Sequence, residues 1–244
     1  MPDTKENIIS QLRKDIFLAE GFKSCAKAMR ITGLEAVEAA FPNGIFPTGA
    51  VHEFLNAEPE HTAASAGFIA GILAALTRQG GICLWIGASK KFFAPALKTF
   101  GVAPDKIIFV ESKREKDVLW IMEEGLKYEG LAAVIAEVRE LTFMQSRRLQ
   151  LAVEHSKVTG FVLRTDTRKV GATASVARWQ ITPLPSELED GMPGVGFPRW
   201  QVELLKIRNG KPGSWQMEWA AGRFIQVIER AAHIKLMEKI RKVG

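Results

Sequence analysis

From residue 46 onward the chain alternates short, mainly apolar runs with longer stretches in which apolar residues recur every three or four positions. Val51–Leu55 has the length and content of a strand, and residues 63–79 read as a helix behind it. Residues 81–86 form a nearly continuous apolar run, the signature of a strand covered on both faces in a parallel sheet. The same alternation follows: helix 90–100 stopped by Gly101, strand 106–110, and helix 117–128 with Leu119, Met122, Glu123 and Leu126 at helical spacing. Then come strand 131–138, helix 143–156 and strand 160–164. Helices of this length between short apolar strands predict an α/β fold, a mainly parallel sheet with flanking helices joined by right-handed crossovers.

After Arg164 the texture changes. Residues 165–174 are polar and contain glycine, a loop. Residues 175–183 alternate, with Val176, Arg178 and Gln180 on one face and Ala177, Trp179 and Ile181 on the other, as in a strand wetted on one side. Residues 185–198 form a second loop, and the β runs 199–208 and 214–219 are joined by Asn209-Gly210-Lys211-Pro212-Gly213, a hairpin signal. The sheet is therefore expected to be mixed. At one end, Ile9, Leu12, Ile16 and Ala19 give a helical stripe that Pro42-Asn43-Gly44 and Pro47-Thr48-Gly49 separate from the core. At the other, Ile225, Ile228, Ala232, Leu236, Ile240 and Val243 form an apolar helical stripe, with Arg230, Lys235, Lys239, Arg241 and Lys242 mostly off it. The reading divides the chain into an N-terminal helical arm (1–44), a core (45–224) and a basic amphipathic C-terminal helix (225–244).

Composition narrows the class. The 244 residues are 47% hydrophobic and 25% charged, ordinary for one globular domain with terminal extensions. No apolar run approaches a membrane span and the first residues lack an apolar signal core, so a cytoplasmic protein with no membrane association is expected. Cys25 and Cys83 are too few and too far apart for a disulfide framework. The net charge of +6 is concentrated: residues 139–178 hold Arg139, Arg147, Arg148, Lys157, Arg164, Arg168, Lys169 and Arg178 against Glu140, Glu154 and Asp166. Such a stretch suits polyanion binding or a solvated basic face.

The strand–turn–helix at residues 46–79 has the layout of a phosphate-binding unit without its chemistry. That loop needs glycines to wrap phosphates with N–H groups, a lysine for their charge and a hydroxyl for Mg²⁺. The turn here reads Asn56-Ala57-Glu58-Pro59-Glu60-His61-Thr62-Ala63, with no glycine, no lysine and two carboxylates. Glu137, near the end of an apolar strand, sits where an ATPase places a metal-holding acid, or else caps the strand or pairs with a nearby arginine. His52-Glu53 is not followed by a zinc-binding histidine, and no metal site, catalytic residue or cofactor is expected.

These features together resemble the RecA-like fold, and more closely the ImuA family within it. Residues 93–102 look like the helix after the second RecA strand, and residues 134–142 like the Walker B strand and its sequel. Phe46-Pro47-x-Gly49-Ala50-x-His52-Glu53, Ser146-Arg147-Arg148-Leu149-Gln150-Leu151-Ala152, Pro198-Arg199-Trp200-x-Val202-Glu203-Leu204-Leu205-Lys206, and Gly210-x-Pro212-Gly213-x-Trp215 with Glu218-Trp219 are similar to the ImuA pattern. The resemblance implies a RecA-like core whose nucleotide site has degenerated at Asn56, Glu58, Glu60, His61, Ala136 and Glu137, the Walker B aspartate falling on Ala136. It implies a non-catalytic accessory of damage-induced translesion synthesis that partners a Y-family polymerase homologue resembling ImuB, and contact with RecA and single-stranded DNA. Candidate DNA contacts are Arg147, Arg148, Arg164, Arg168, Lys169, Lys206 and Arg208; at least one of Arg147 and Arg148 is expected instead to tie its helix to Glu137 or Glu154. Ile225, Ile228, Leu236, Lys239 and Ile240 are candidate partner contacts, the alternative being packing on the chain's own core. The N-terminal helix is open to self-association or to RecA. Two other readings stand beside this one: a SulA-like inhibitor of the tubulin-like division protein, and an ATPase with a non-standard site.

Overall fold

The computed structural model describes residues 30–78, 80–87, 94–186 and 195–227. Among them runs one mixed nine-stranded sheet of order β3-β2-β4-β5-β1-β6-β7-β8-β9. The strands are β1 (Val51–Leu55), β2 (Ile82–Gly87), β3 (Ile107–Glu111), β4 (Leu131–Val138), β5 (Thr159–Arg164), β6 (Ala177–Leu184), β7 (Arg199–Ile207), β8 (Gly213–Ala220) and β9 (Arg223–Gln226). β3 through β6 are mutually parallel, and β6 to β9 continue antiparallel. The helices are α1 (Glu35–Glu38), α2 (Pro59–Thr77), α3 (Glu115–Lys127) and α4 (Phe143–Ser156), with a 3-10 turn at Ala94–Phe100.

The two faces of the sheet are covered differently. α2 is apolar all round because it is buried between the sheet and residues 31–46 and 94–102. Its glycines admit large rings: a Cβ at Gly71 would lie 2.5 Å from Phe224 and 2.8 Å from Trp219. The cost of glycine in a helix is offset here by aromatic packing that alanine would obstruct. The same layer extends over the antiparallel strands, joining Trp179, Ile181, Trp200, Val202, Met217 and Trp219 to one core. α3 and α4 cover the opposite face of the parallel strands, burying Val118, Met122, Leu126, Leu149 and Val153 against Val134, Ala136 and Val162. α4 begins with a capping box, Thr142 and Gln145 exchanging bonds across the first turn. The α/β reading therefore holds, and so does the alternation of β6, whose Ala177, Trp179 and Ile181 are buried while Arg178 and Gln180 are half-buried.

Some expected boundaries move. α2 starts at Pro59 rather than residue 63, because Pro at the first helical position is already set for the turn. Ile31, Leu34, Val37 and Phe41 belong to the main core, so packing carries the core back across the expected division at residue 44. The division at residue 224 falls inside β9, where Phe224 pairs with Trp219 and Ile225 with Glu218. Ile225 is therefore a strand residue and not the start of a helix. The expected N-terminal helix and Ile228, Leu236, Lys239 and Ile240 lie outside the described residues.

Strand β1 also holds an unusual pair. His52 is fully buried, stacked on Phe46 at 4.6 Å between centroids. Its Nε2 donates to the Pro47 carbonyl at 2.7 Å, and its Nδ1 accepts from Trp179 Nε1 at 3.3 Å. Both ring nitrogens are satisfied only in the neutral form, and burial lowers the pKa to about 4. Glu53 points to the other face, where its charge is met by arginines.

Candidate functional site: the carboxyl edge of the sheet

In open α/β sheets ligands collect at the carboxyl ends of the strands. Here β1 joins α2 through only Asn56, Ala57 and Glu58. Three residues leave no room to wrap a phosphate, and Pro59 removes one of the helix-terminal N–H donors. Glu58 is the N-cap but its carboxylate makes no capping bond, and Glu60 lies in the first turn. Asn56 is buried, its carbonyl taking a bond from Ser65 Oγ at 2.6 Å while its amide Nδ2 has no partner among the described residues. His61, also predicted for this site, keeps a buried Nδ1 without a partner among the described residues.

Across the gap Glu137 projects from β4 and accepts from Trp85 Nε1 at 3.0 Å. Burial raises its pKa above the ordinary carboxylate value. Gly87 gives it room, since a Cβ there would stand 3.1 Å from the Glu137 carboxyl carbon. Ala136 points the other way, into the core beneath α3 and α4, because neighbours on a strand alternate faces. It is therefore not part of this site, contrary to the position expected from the Walker B comparison. Between α2, Ala94–Phe100 and the β6–β7 end lies a cleft of about 1050 Å³, lined by Asn56, Glu58, Glu60, Trp85 and Glu137 at one side. Leu97, Phe100, Leu184, Phe197 and Trp200 supply apolar walls. The only cation lining it among the described residues is Arg199, already ion-paired with Glu218. The site holds carboxylates and apolar surface where a nucleotide needs donors and positive charge.

On the opposite face the basic residues are arranged around Glu53, which is fully buried. Arg164 Nη1 reaches Glu53 Oε1 at 3.3 Å, Arg178 Nε reaches Oε2 at 2.9 Å, and Thr173 Oγ1 donates to Oε2 at 2.7 Å. The same guanidinium groups hold the loop 165–174 by its carbonyls. Arg164 donates to Asp166 O at 2.8 Å and Lys169 O at 2.6 Å, and Arg178 donates to Gly171 O at 2.8 Å. Lys206 and Arg208 donate to Thr173 O at 3.1 Å and Ala174 O at 3.2 Å, and Ser146 Oγ accepts from Ala174 N at 2.9 Å. The loop is a strap over β1 and β6, pinned from four sides.

This arrangement sorts the predicted DNA contacts. Arg164 is buried and committed to Glu53, so it cannot meet a phosphate. Lys206 and Arg208 each spend a donor on the strap. Arg148 pairs with Glu123 of α3 at 2.6 Å, not with Glu137 or Glu154. Arg168 pairs with Asp166, whose carboxyl it holds well below the usual range, yet stays exposed. Arg147 and Lys169 are exposed as well. Sequence reasoning missed Phe143 and Met144, exposed at 53% and 70% on the first turn of α4, and missed the role of Glu53. The available signal for Glu53 was a carboxylate within an otherwise buried strand, which demands a buried cation.

No protein-family model matches the sequence. The fold is shared with the crystal structure of the RadB recombinase, at a TM-score of 0.53 and 12% identity, over 76% of this chain and 94% of that one. Protein ImuA of Caulobacter vibrioides (strain NA1000 / CB15N) is 35% identical over 198 residues, covering 76% of this chain and 81% of the relative. Protein ImuA of a second strain of that species (ATCC 19089 / CIP 103742 / CB 15) aligns with the same identity and coverage. A RecA-like sheet, a three-residue β1–α2 turn and this relationship over most of both chains agree: the chain belongs to the ImuA family.

Proposed function

We propose that this protein is a non-catalytic, RecA-folded accessory of damage-induced translesion DNA synthesis that scaffolds a mutagenic polymerase complex. The observation that carries the reading is the cleft at the carboxyl edge: a three-residue turn, a proline at the helix start, three carboxylates and, among the described residues, no lysine. Phosphoryl transfer depends on positioned donors and positive charge around the phosphates, and this cleft offers the reverse. No cluster that could hold a metal occurs among the described residues. No helix among them is long and apolar enough to cross a membrane. The kinship with ImuA supports a proposed cytoplasmic location.

In this reading the partners are a Y-family polymerase homologue resembling ImuB, RecA, and single-stranded DNA. Residues 228–244, with Ile228, Leu236, Lys239 and Ile240, are the proposed docking element for the polymerase homologue. Arg147, Arg168 and Lys169 remain the proposed phosphate contacts, with exposed Phe143, one turn before Arg147 on α4, for base stacking. Fluorescence anisotropy with a single-stranded oligonucleotide across a salt series tests the DNA arm. Three phosphate contacts give a log–log slope of about −2, the same with and without ATP and Mg²⁺. ATP-dependent binding, or ATP turnover that Glu137→Ala abolishes, overturns the non-catalytic reading.

A further inference from the structure

The sheet ends in two edges of different kinds. β9 is covered: Phe224 N donates to Thr32 O at 3.3 Å, and Gly33 lies so close that a Cβ there would stand 1.7 Å from the Phe224 carbonyl oxygen. β3 ends the sheet on the other side, and among the described residues it pairs with β2 alone. An edge strand is a template for another strand, and sheets blunt it with proline, lysine, a bulge or a covering segment. Ile107–Glu111 has no proline, no lysine and no break in its register with β2. It shows instead Ile108 at 49% exposure and Phe109 at 44%, one on each face of the sheet. Phe109 leans on Trp85, its neighbour in β2, at 6.4 Å between ring centroids. The described chain begins at Arg30 and stops at Val227, both beside β9 and so about 38 Å from β3 at the usual strand spacing.

The strand is complementary to itself. A two-fold axis normal to the sheet sets two copies of β3 antiparallel and keeps like faces of the two sheets together. Directly opposed residues then share a face, so the axis passes through a residue and not between two. Centred on Ile108, Asp105 would meet Glu111 of the second copy, and centred on Val110, Lys106 would meet Arg114. Both registers oppose like charges, which is destabilising. Centred on Phe109, every residue of the strand is paired: Ile107 with Glu111, Ile108 with Val110, and Phe109 with its own copy. The same register brings Asp105 to Lys113 at both ends. Asp105 and Lys113 are exposed and make no ion pair among the described residues. We infer that the protein forms a two-fold dimer through antiparallel pairing of β3 centred on Phe109, joining two sheets into one. So short a strand buries less than the about 1,200 Å² at which standard interfaces begin, so the dimer is weak. It stands whether or not the protein serves translesion synthesis.

Sedimentation velocity of the full chain from about 1 to 500 µM reads the association. Hydrogen exchange followed by mass spectrometry reads the strand. Dimerisation in the micromolar range is expected, with exchange in residues 107–111 slowing as the concentration rises. Ile108→Lys sets a charge on the exposed edge and should weaken the dimer about tenfold or more. Asp105→Lys and Lys113→Asp lie outside the strand. Each alone opposes like charges at both ends, for an expected loss of about fivefold. An equimolar mixture of these two variants opposes unlike charges at both ends and should recover the affinity of the unaltered chain. Circular dichroism verifies that all three variants remain folded. A chain that stays monomeric to about 500 µM overturns the inference. So does a dimer indifferent to Ile108→Lys, or a mixture no tighter than either charge variant alone. Protection of residues 107–111 that is complete at the lowest concentration also overturns it, by placing a segment of the same chain on the edge.

Discussion

The two faces of the sheet meet at its carboxyl edge with charges of opposite sign and opposite fates. Around Glu53 the cations are consumed: Arg164 and Arg178 satisfy a buried carboxylate and hold a loop by its carbonyls. In the cleft beside α2, Glu58, Glu60 and Glu137 have no ionic partner among the described residues. Within the basic stretch that suggested a polyanion site, Arg164 and Arg178 serve as internal scaffolding while Arg147, Arg168 and Lys169 stay exposed. Charge density along a sequence thus does not show which charges are already paired, and the fold does.

The comparison breaks first at Glu53. Replacing it with alanine leaves two guanidinium groups uncompensated, one of them in Arg164 at 3% exposure, and should cost about 3–5 kcal/mol in urea unfolding. A loss below about 1 kcal/mol would mean that the strap does not depend on this centre. Next is His52, the neighbouring residue on β1. Its pKa falls from an ordinary 6.5 to about 4 on folding, so the unfolded chain binds the proton more readily. Its contribution is complete above about pH 6.5, declines as the pH falls, and is gone below about 4, a change of about 3 kcal/mol. Thermal midpoints across that window should follow this course, and His52→Phe should flatten it.

Smaller effects test the cleft side. Glu58→Lys and Glu60→Lys place cations at the positive end of α2 and should each cost about 0.3–1 kcal/mol, reduced by salt. Larger losses would mean that these carboxylates support the fold and are not idle. Arg148→Ala removes an ion pair whose arginine is 63% exposed, and a change of about 0.5 kcal/mol or less is expected in the same unfolding measurement.

Much of the fold was legible because its covering follows simple rules. Strands buried on both faces read as apolar runs at residues 81–86 and 131–138, and β6 read as an alternation because only one of its faces is packed. The start of α2 was misread because its first turn, Pro59 to Thr62, is polar and partly exposed, and so looks like loop. β9 was invisible because Arg223–Gln226 is too short for a period, and its identity as a strand comes from pairing with β8. Within the site, the missing glycines and lysine could be read directly. The partners of Arg164, Arg178, Lys206 and Arg208 could not, since each depends on residues brought together by the sheet order.

By itself the sequence determined the α/β alternation, the change to antiparallel strands after Arg164, and the loss of phosphate-binding chemistry between Asn56 and Ala63. These are local properties, set by spacing and by which side chains are present at all. Only the tertiary structure decided which charges are spent. Glu53 and Arg164 stand 111 residues apart, and Glu53 and Arg178 stand 125 apart. Their pairing, like the gathering of Asn56, Glu58, Glu60 and Glu137 along one cleft, exists because parallel strands distant in sequence end at one edge.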